Sequence, residues 1–166
     1  MSVQLLANIV IGLALVGFLA FRQATWQYLD PARIWRTPLI MAIIGVVVMA
    51  QTKATITTTD IVFLGIEALI SIAVGLSMGS ITTFRTVSTP DQKGRTLQSR
   101  TGWFGAGLWF VLIAVRVGLD VLGGHMGAHL LTSTGAVLLM LAINRAARAL
   151  VLDQRIPNRA SGMMVR

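Results

Sequence analysis

The sequence contains no cysteine and few charged residues, and both shortages narrow the classes of protein it can belong to. Without cysteine, the chain forms no disulfide, no thiolate zinc site and no dithiol redox pair. Only 12% of its 166 residues are charged and 55% are hydrophobic, which is typical of integral membrane proteins. The phosphate-binding glycine loop, the nucleophile elbow and the zinc-protease helix are also absent from the sequence. We therefore expect a membrane protein that is not an enzyme and has no cofactor.

Apolar runs predict five membrane-spanning helices, at residues 3–21, 34–51, 61–84, 102–122 and 126–144. No basic residue precedes Arg22, so we expect the first segment to be a retained helix and not a signal peptide. The second segment is the shortest, with Pro38 in its first turn, where the missing N–H costs little. Thr59 or Asp60 is expected to cap the third, and the Ser and Thr residues of TITTTD and LTSTG are interpreted as helix caps.

The basic residues predict the orientation of this bundle. Three Lys or Arg lie between the first two segments, four between the third and fourth and five after the fifth, which is twelve of the 14. The positive-inside rule then places the N-terminus outside and the C-terminus in the cytoplasm. The predicted fold class is all-α, a polytopic bundle in a bacterial cytoplasmic membrane, with residues 1–152 as its transmembrane domain and 153–166 as a basic tail. Orientation explains the net charge of +8, so no nucleic-acid partner is expected.

Four aromatic residues flank the predicted spans on the cytoplasmic side. Trp26, Tyr28 and Trp35 lie in the first cytoplasmic loop, and Trp103 begins the fourth segment. Tryptophan and tyrosine anchor membrane proteins at headgroup depth, so these residues predict contact with membrane lipids.

Two ionisable residues inside the apolar segments predict an interhelical ion pair. Glu67 lies about six residues from the outer end of the third segment, and Arg116 lies about six residues from the outer end of the fourth. Either charge alone would cost a few kcal/mol in the bilayer, on the order of 2.5–3.5 for an arginine. Asp120 competes for Arg116 at i+4, so the three residues are either a structural lock or a site for a ligand or proton.

Small residues on the same two segments predict close packing between them. Gly75 and Gly79 form a small-xxx-small pair on the third segment, and Gly105 lies on the stripe of the fourth that carries Arg116. Such glycines let helix backbones approach closely, and we expect the third and fourth helices to pack through them.

Two histidines lie near the outer ends of the predicted helices. His125 and His129 are four residues apart, so on one helix both imidazoles would project from the same face. Together with Asp60 they are candidates for an outer vestibule that binds a ligand. Polar capping is the competing interpretation, and no metal site is predicted.

The run GLSMGSITTFRTVSTPDQKGRTLQSRTGWFGAGLWFVLIAVRVGLD resembles the central part of the CcdC-like family of small bacterial membrane proteins. Its shared elements are the glycine motif, Arg85, the polar hairpin and Arg116. The resemblance implies an accessory role beside cytochrome c biogenesis, because a chain without cysteine cannot carry electrons through thiols.

Small size, short loops and missing catalytic motifs favour a non-enzymatic accessory or interaction subunit. It would work as a homo-oligomer or within a larger membrane protein complex. One alternative is a small transporter or pore component with an outward polar vestibule, and another is a haem or metal carrier.

Overall fold

The computed structural model describes residues 17, 25–30, 33–52, 56–92, 94–128 and 130–156. The described part is mostly helical, with four helices and a small antiparallel sheet; the helices are α1 (Arg36–Gln51), α2 (Thr58–Ile81), α3 (Gly102–His125) and α4 (Thr134–Arg155). The predicted first segment lies outside the described residues, except for Gly17.

Three of the described helices, α2, α3 and α4, are long and apolar enough to cross a membrane. They have 24, 24 and 22 residues, which at ~1.5 Å per residue exceed a hydrocarbon core ~30 Å thick. The predicted second segment forms α1, whose 16 residues fall short of that thickness. The lengths and hydropathies support a membrane protein.

Helix α2 begins earlier than the sequence predicted, and its cap is a different residue. Thr57 is the N-cap: its hydroxyl accepts from the backbone N–H of Asp60, and the Asp60 carboxylate accepts from the backbone N–H of Thr57. This reciprocal pair is a capping box. The expectation of Thr59 or Asp60 as the cap was therefore wrong, although Thr57 does lie in the TITTTD run interpreted as capping.

Helix α3 ends in a Schellman motif, which corrects the predicted fifth helix. The N–H of Ala128 donates to the carbonyl of Gly123 at 2.8 Å, the N–H of Gly127 donates to that of Gly124 at 3.3 Å, and Gly127 has a φ of +82°. The chain then turns through residues 126–128 and 130–133, named here the turn segment, before Ser133 caps α4 by accepting from Ala136. The last helix is thus Thr134–Arg155 and not 126–144.

The prediction of an all-α chain missed a three-stranded antiparallel sheet with the order β1-β3-β2. The strands are β1 (Gln27–Tyr28), β2 (Thr83–Thr86) and β3 (Leu97–Arg100). Gln27 pairs with Ser99, and Phe84 pairs with the same residue from the other side. The third predicted helix therefore ends at Ile81 and not at residue 84, because residues 83–86 leave it to form a strand.

Helices α2 and α4 run parallel, and α1 and α3 run antiparallel to them. Ser71 of α2 contacts Asn144 of α4 and Gly79 contacts Val151, so both residue numbers rise together. On α1, Gly45 approaches Leu139 while Met49 approaches Gly135, so one number rises as the other falls. We call the end that carries the strands the sheet end, and the opposite end, with the turn segment, the turn end.

Candidate functional site

Arg116 joins two helices and the turn segment near the turn end of the bundle. Its Nη1 donates to Glu67 Oε1 on α2, and its Nη2 donates to the carbonyl of Leu131 at 2.8 Å. Its Nε lies 3.8 Å from Asp120 Oδ2, one helical turn along α3. We call Glu67, Arg116 and Asp120 the charge cluster. The structure therefore brings together the three residues that the sequence predicted to meet, and Arg116 contacts both acids.

The level of the charge cluster follows from where its helices begin and end. Glu67 lies nine residues after Thr58, the first residue of α2, and Arg116 lies nine residues before His125, the last of α3. Because the two helices are antiparallel, both side chains lie about 13 Å along their helices from the turn end. The sequence predicted these two helix ends at residues 61 and 122, each three residues too far inward. Because the two errors are equal, the prediction that Glu67 and Arg116 lie at the same depth still holds.

The three side chains of the charge cluster are buried to different degrees. Glu67 is 3% exposed, whereas the side chains of Arg116 and Asp120 are 18% and 24% exposed. One carboxylate oxygen of each acid, Glu67 Oε2 and Asp120 Oδ1, is buried and has no hydrogen-bond partner among the described residues. Arg116 thus donates a hydrogen bond to one oxygen of Glu67, and its contact with Asp120 is an ion pair at 3.8 Å.

Asp60 is fully buried and holds the start of α2 against the turn segment. Its Oδ2 accepts from the backbone N–H and the hydroxyl of Thr57 at 2.9 and 2.6 Å, and its Oδ1 accepts from the N–H of Leu130 at 2.9 Å. These three donors fix the first turn of α2 to the turn segment. These contacts give Asp60 a structural role.

Of the two predicted vestibule histidines, the structure describes His125. His125 is the exposed last residue of α3, and the Schellman motif follows it directly. His129 lies outside the described residues. In the part of the chain that the structure describes, no group of three His, Asp or Glu side chains is placed to hold a metal ion.

Gly75 and Gly79 pack against α4, which corrects the expectation that they face the fourth predicted helix. A Cβ at position 75 would lie 2.4 Å from the carbonyl oxygen of Asn144, and one at 79 would lie 2.7 Å from Val151 Cβ. Gly105 is buried on α3. The α2–α3 contact is formed instead by larger side chains, with Val74, Met78 and Leu112 at its centre.

The predicted aromatic anchors divide into two groups. The guanidinium carbons of Arg85 and Arg100 lie 4.3 and 5.3 Å from the ring centre of Trp26. The guanidinium carbon of Arg95 lies 5.7 Å from the ring centre of Tyr28. Trp35 and Trp103 are 37% and 73% exposed. Trp26 therefore stacks on two arginines of the sheet, and Tyr28 stacks on an arginine of the connection between β2 and β3. Each such contact is worth about 0.5–1 kcal/mol at exposed sites.

Sequence reasoning missed three polar contacts of α4. Asn144 Nδ2 donates to the carbonyl of Ser71 at 2.9 Å, and Arg148 Nη2 donates to Thr101 Oγ1 at 2.6 Å. Arg155 donates to the carbonyls of Gly79, Ser80 and Thr82 at the end of α2. The expected end of the helix at residue 144 hid the contacts of Arg148 and Arg155, because both residues then lay beyond the helix.

No protein-family model, no curated protein and no solved structure matches the chain. The resemblance to CcdC-like proteins therefore stays a prediction, and the functional argument rests on the geometry.

Proposed function

We propose that the protein is a non-enzymatic membrane subunit that binds another transmembrane helix on the outward face of α3. The support comes from how unevenly the described residues cover the helices. Only 17% of the apolar core of α3 is buried within the molecule, compared with 44% of that of α4. Lipid can cover an apolar surface, so the composition of the uncovered face decides between lipid and protein.

The outward face of α3 carries small residues at helix-packing spacing, and this observation carries the proposal. Gly107, Ala114 and Gly118 are exposed on one stripe with Val111 and Val121. Positions 114 and 118 form a small-xxx-small pair, and a Cβ at either glycine would meet nothing within 4 Å. A lipid chain needs no such recess, whereas a second helix uses it to bring backbones together.

Within the described structure, a small-residue pair with the same spacing already packs against a helix, which supports assigning the open stripe of α3 to a helix as well. Gly75 and Gly79 on α2 are spaced four apart, and both are filled by α4. The stripe on α3 has the same spacing and is unfilled by any described residue. Its occupant is a helix from a second copy of this chain or from a larger membrane complex.

The proposed setting is the bacterial cytoplasmic membrane, crossed five times with the N-terminus outside. The charges of the described residues support this orientation: Arg33, Arg36, Arg85, Arg95, Arg100, Arg148 and Arg155 lie towards the sheet end. No described Lys or Arg lies at the turn end beyond Arg116. The positive-inside rule then assigns the sheet end to the cytoplasm.

Cysteine cross-linking tests the proposal, because the natural chain has no cysteine to interfere. We expect G118C to form a disulfide-linked product in native membranes, since the Cα atoms of a packed small-residue pair come within reach of a disulfide. A product of twice the 17.8 kDa chain mass would identify a second copy, whose own G118C substitution supplies the other thiol; a different mass would identify a subunit of another kind that has a cysteine at the contact.

The matched control is G65C, on an exposed position of α2 that is also open and lies on a membrane-crossing helix. Cross-linking of G118C no stronger than that of G65C would contradict the proposal. Native mass spectrometry of the unmodified protein, extracted gently from its own membrane, then reports the stoichiometry without any substitution.

A small transporter is the second candidate, and the half-satisfied charge cluster is the observation that favours it. A polar solute or ion that crosses near the turn end would meet these carboxylates. No contact among the described residues favours the haem or metal alternative.

A further inference from the structure

The charge cluster carries one negative charge more than it can balance. It has two carboxylates and one guanidinium, and a guanidinium stays protonated in proteins. With all three groups ionised, the cluster has a net charge of −1 on helices that are built to lie in a membrane. An unbalanced charge at such a depth costs a few kcal/mol, so a further positive charge is required.

The surrounding elements supply no second basic group among the described residues. On α2, Asp60 is occupied by Thr57 and Leu130. The turn segment contributes the carbonyl of Leu131, which Arg116 already uses. Further along α3, the nearest titratable group is His125 at the exposed end of the helix. The ionisable residues of α1 and α4 are Arg36, Arg145, Arg148, Asp153 and Arg155, which lie from the middle of the bundle to the sheet end.

The unpartnered atoms have the chemistry that a proton requires. Glu67 Oε2 and Asp120 Oδ1 are both buried carboxylate oxygens without a described donor, and Glu67 is withdrawn almost completely. A proton held between these two carboxylates would supply the positive charge that the cluster lacks. A hard metal cation fits less well, because such ions take six or more oxygen ligands and only two are unpartnered here.

We infer that Glu67 and Asp120 together hold one exchangeable proton, which makes the charge cluster a proton-binding site. Protonation of either acid brings the cluster to neutrality while Arg116 keeps an anionic partner. This inference does not depend on a helix binding to α3, because it concerns the interior contact between α2 and α3.

A hydrophobic carbodiimide tests the inference on the full chain in lipid nanodiscs. A protonated carboxyl group adds across a C=N bond of the reagent, and the adduct rearranges to a stable N-acylurea with no leaving group. We expect one reagent mass per chain, located by peptide mass spectrometry at Glu67 or Asp120. The labelling rate should fall ~tenfold per pH unit once the shared proton is lost.

Asp60 is the internal control, because it is buried in the same half of the molecule but has a donor on each carboxylate oxygen. Labelling of Asp60 alone, no label at the charge cluster, or a labelling rate independent of pH would each overturn the inference. E67Q and D120N should each remove the label at the changed position. Infrared spectra of the unmodified protein provide a readout that needs no variant: a protonated carboxyl band that shifts in D2O and declines as the pH rises is expected, and its absence would contradict the proposal.

Discussion

The two sides of α2 are covered by different means. Towards α4, Gly75 and Gly79 bring the backbones into contact, and Asn144 and Arg155 donate across the same interface to backbone carbonyls of α2. Towards α3, the side chains are larger and an ion pair crosses near the turn end. The first contact depends on shape and the second on charge. The comparison teaches that a helix pair without glycine can be aligned by a few buried charges, at the risk of leaving one unbalanced.

The largest expected effect comes from filling the close contact between α2 and α4. A Cβ at position 75 would already lie 2.4 Å from a backbone oxygen, so G75L must push the two helices apart. We expect the free energy of unfolding to fall by more than about 3 kcal/mol, beyond the usual range for overpacking. Unfolding by SDS in mixed micelles measures it. G65L, at an open position of the same helix, should leave stability nearly unchanged, and equal losses in both variants would refute the shape argument.

A smaller effect is expected at the charged interface. R116M leaves Glu67 buried without its donor, and we expect a loss of about 2 kcal/mol in the free energy of unfolding. The double variant of E67Q with R116M removes both charges and should recover most of that loss, as apolar replacement of buried pairs does. A double variant less stable than R116M would show that the ion pair is not the source of the effect.

The smallest of the three effects concerns the buried hydrogen bond between Asn144 of α4 and Ser71 of α2. N144A removes the donor to the Ser71 carbonyl and should cost about 1 kcal/mol, since interhelical hydrogen bonds in membranes contribute little. The same SDS titration applies. A cost as large as that of G75L would mean that polar bonding, and not close backbone contact, holds α4 to α2.

The sequence predicted the structure well where a residue type has only one favourable environment in a membrane. Long apolar runs predicted five membrane-spanning helices, and three of the described helices are long and apolar enough to span a membrane. The buried charges predicted their own partners, because Glu67 and Arg116 need each other. The partner of a glycine could not be predicted in this way. Gly75 and Gly79 define a smooth face on α2, but any helix fits such a face, and α4 occupies it rather than α3.

Two local signals were present in the sequence but were outweighed by hydropathy. The glycines of GGHMGA allow a left-handed residue at the end of a helix, and Gly127 supplies it. Residues 82–87 and 96–100 are rich in threonine with Phe84 and Val87 and flank a turn-forming stretch with proline and glycine, which is typical of a hairpin. Strand β1 gave no comparable signal, since it has two residues and is defined by its pairing with β3.

The sheet also constrains the order in which the chain can assemble. Gln27 pairs with Ser99, a residue made 72 positions later, and α1 packs on α4, which is synthesised after everything else described. Contacts between such distant positions form slowly, because the intervening chain must first be placed. Before β3 is made, β1 has no strand to pair with, and before α4 is made, α1 lacks its neighbour. A nascent chain stopped before α4 could already pair β1 with β3, whereas α1 would still lack the helix that it packs against.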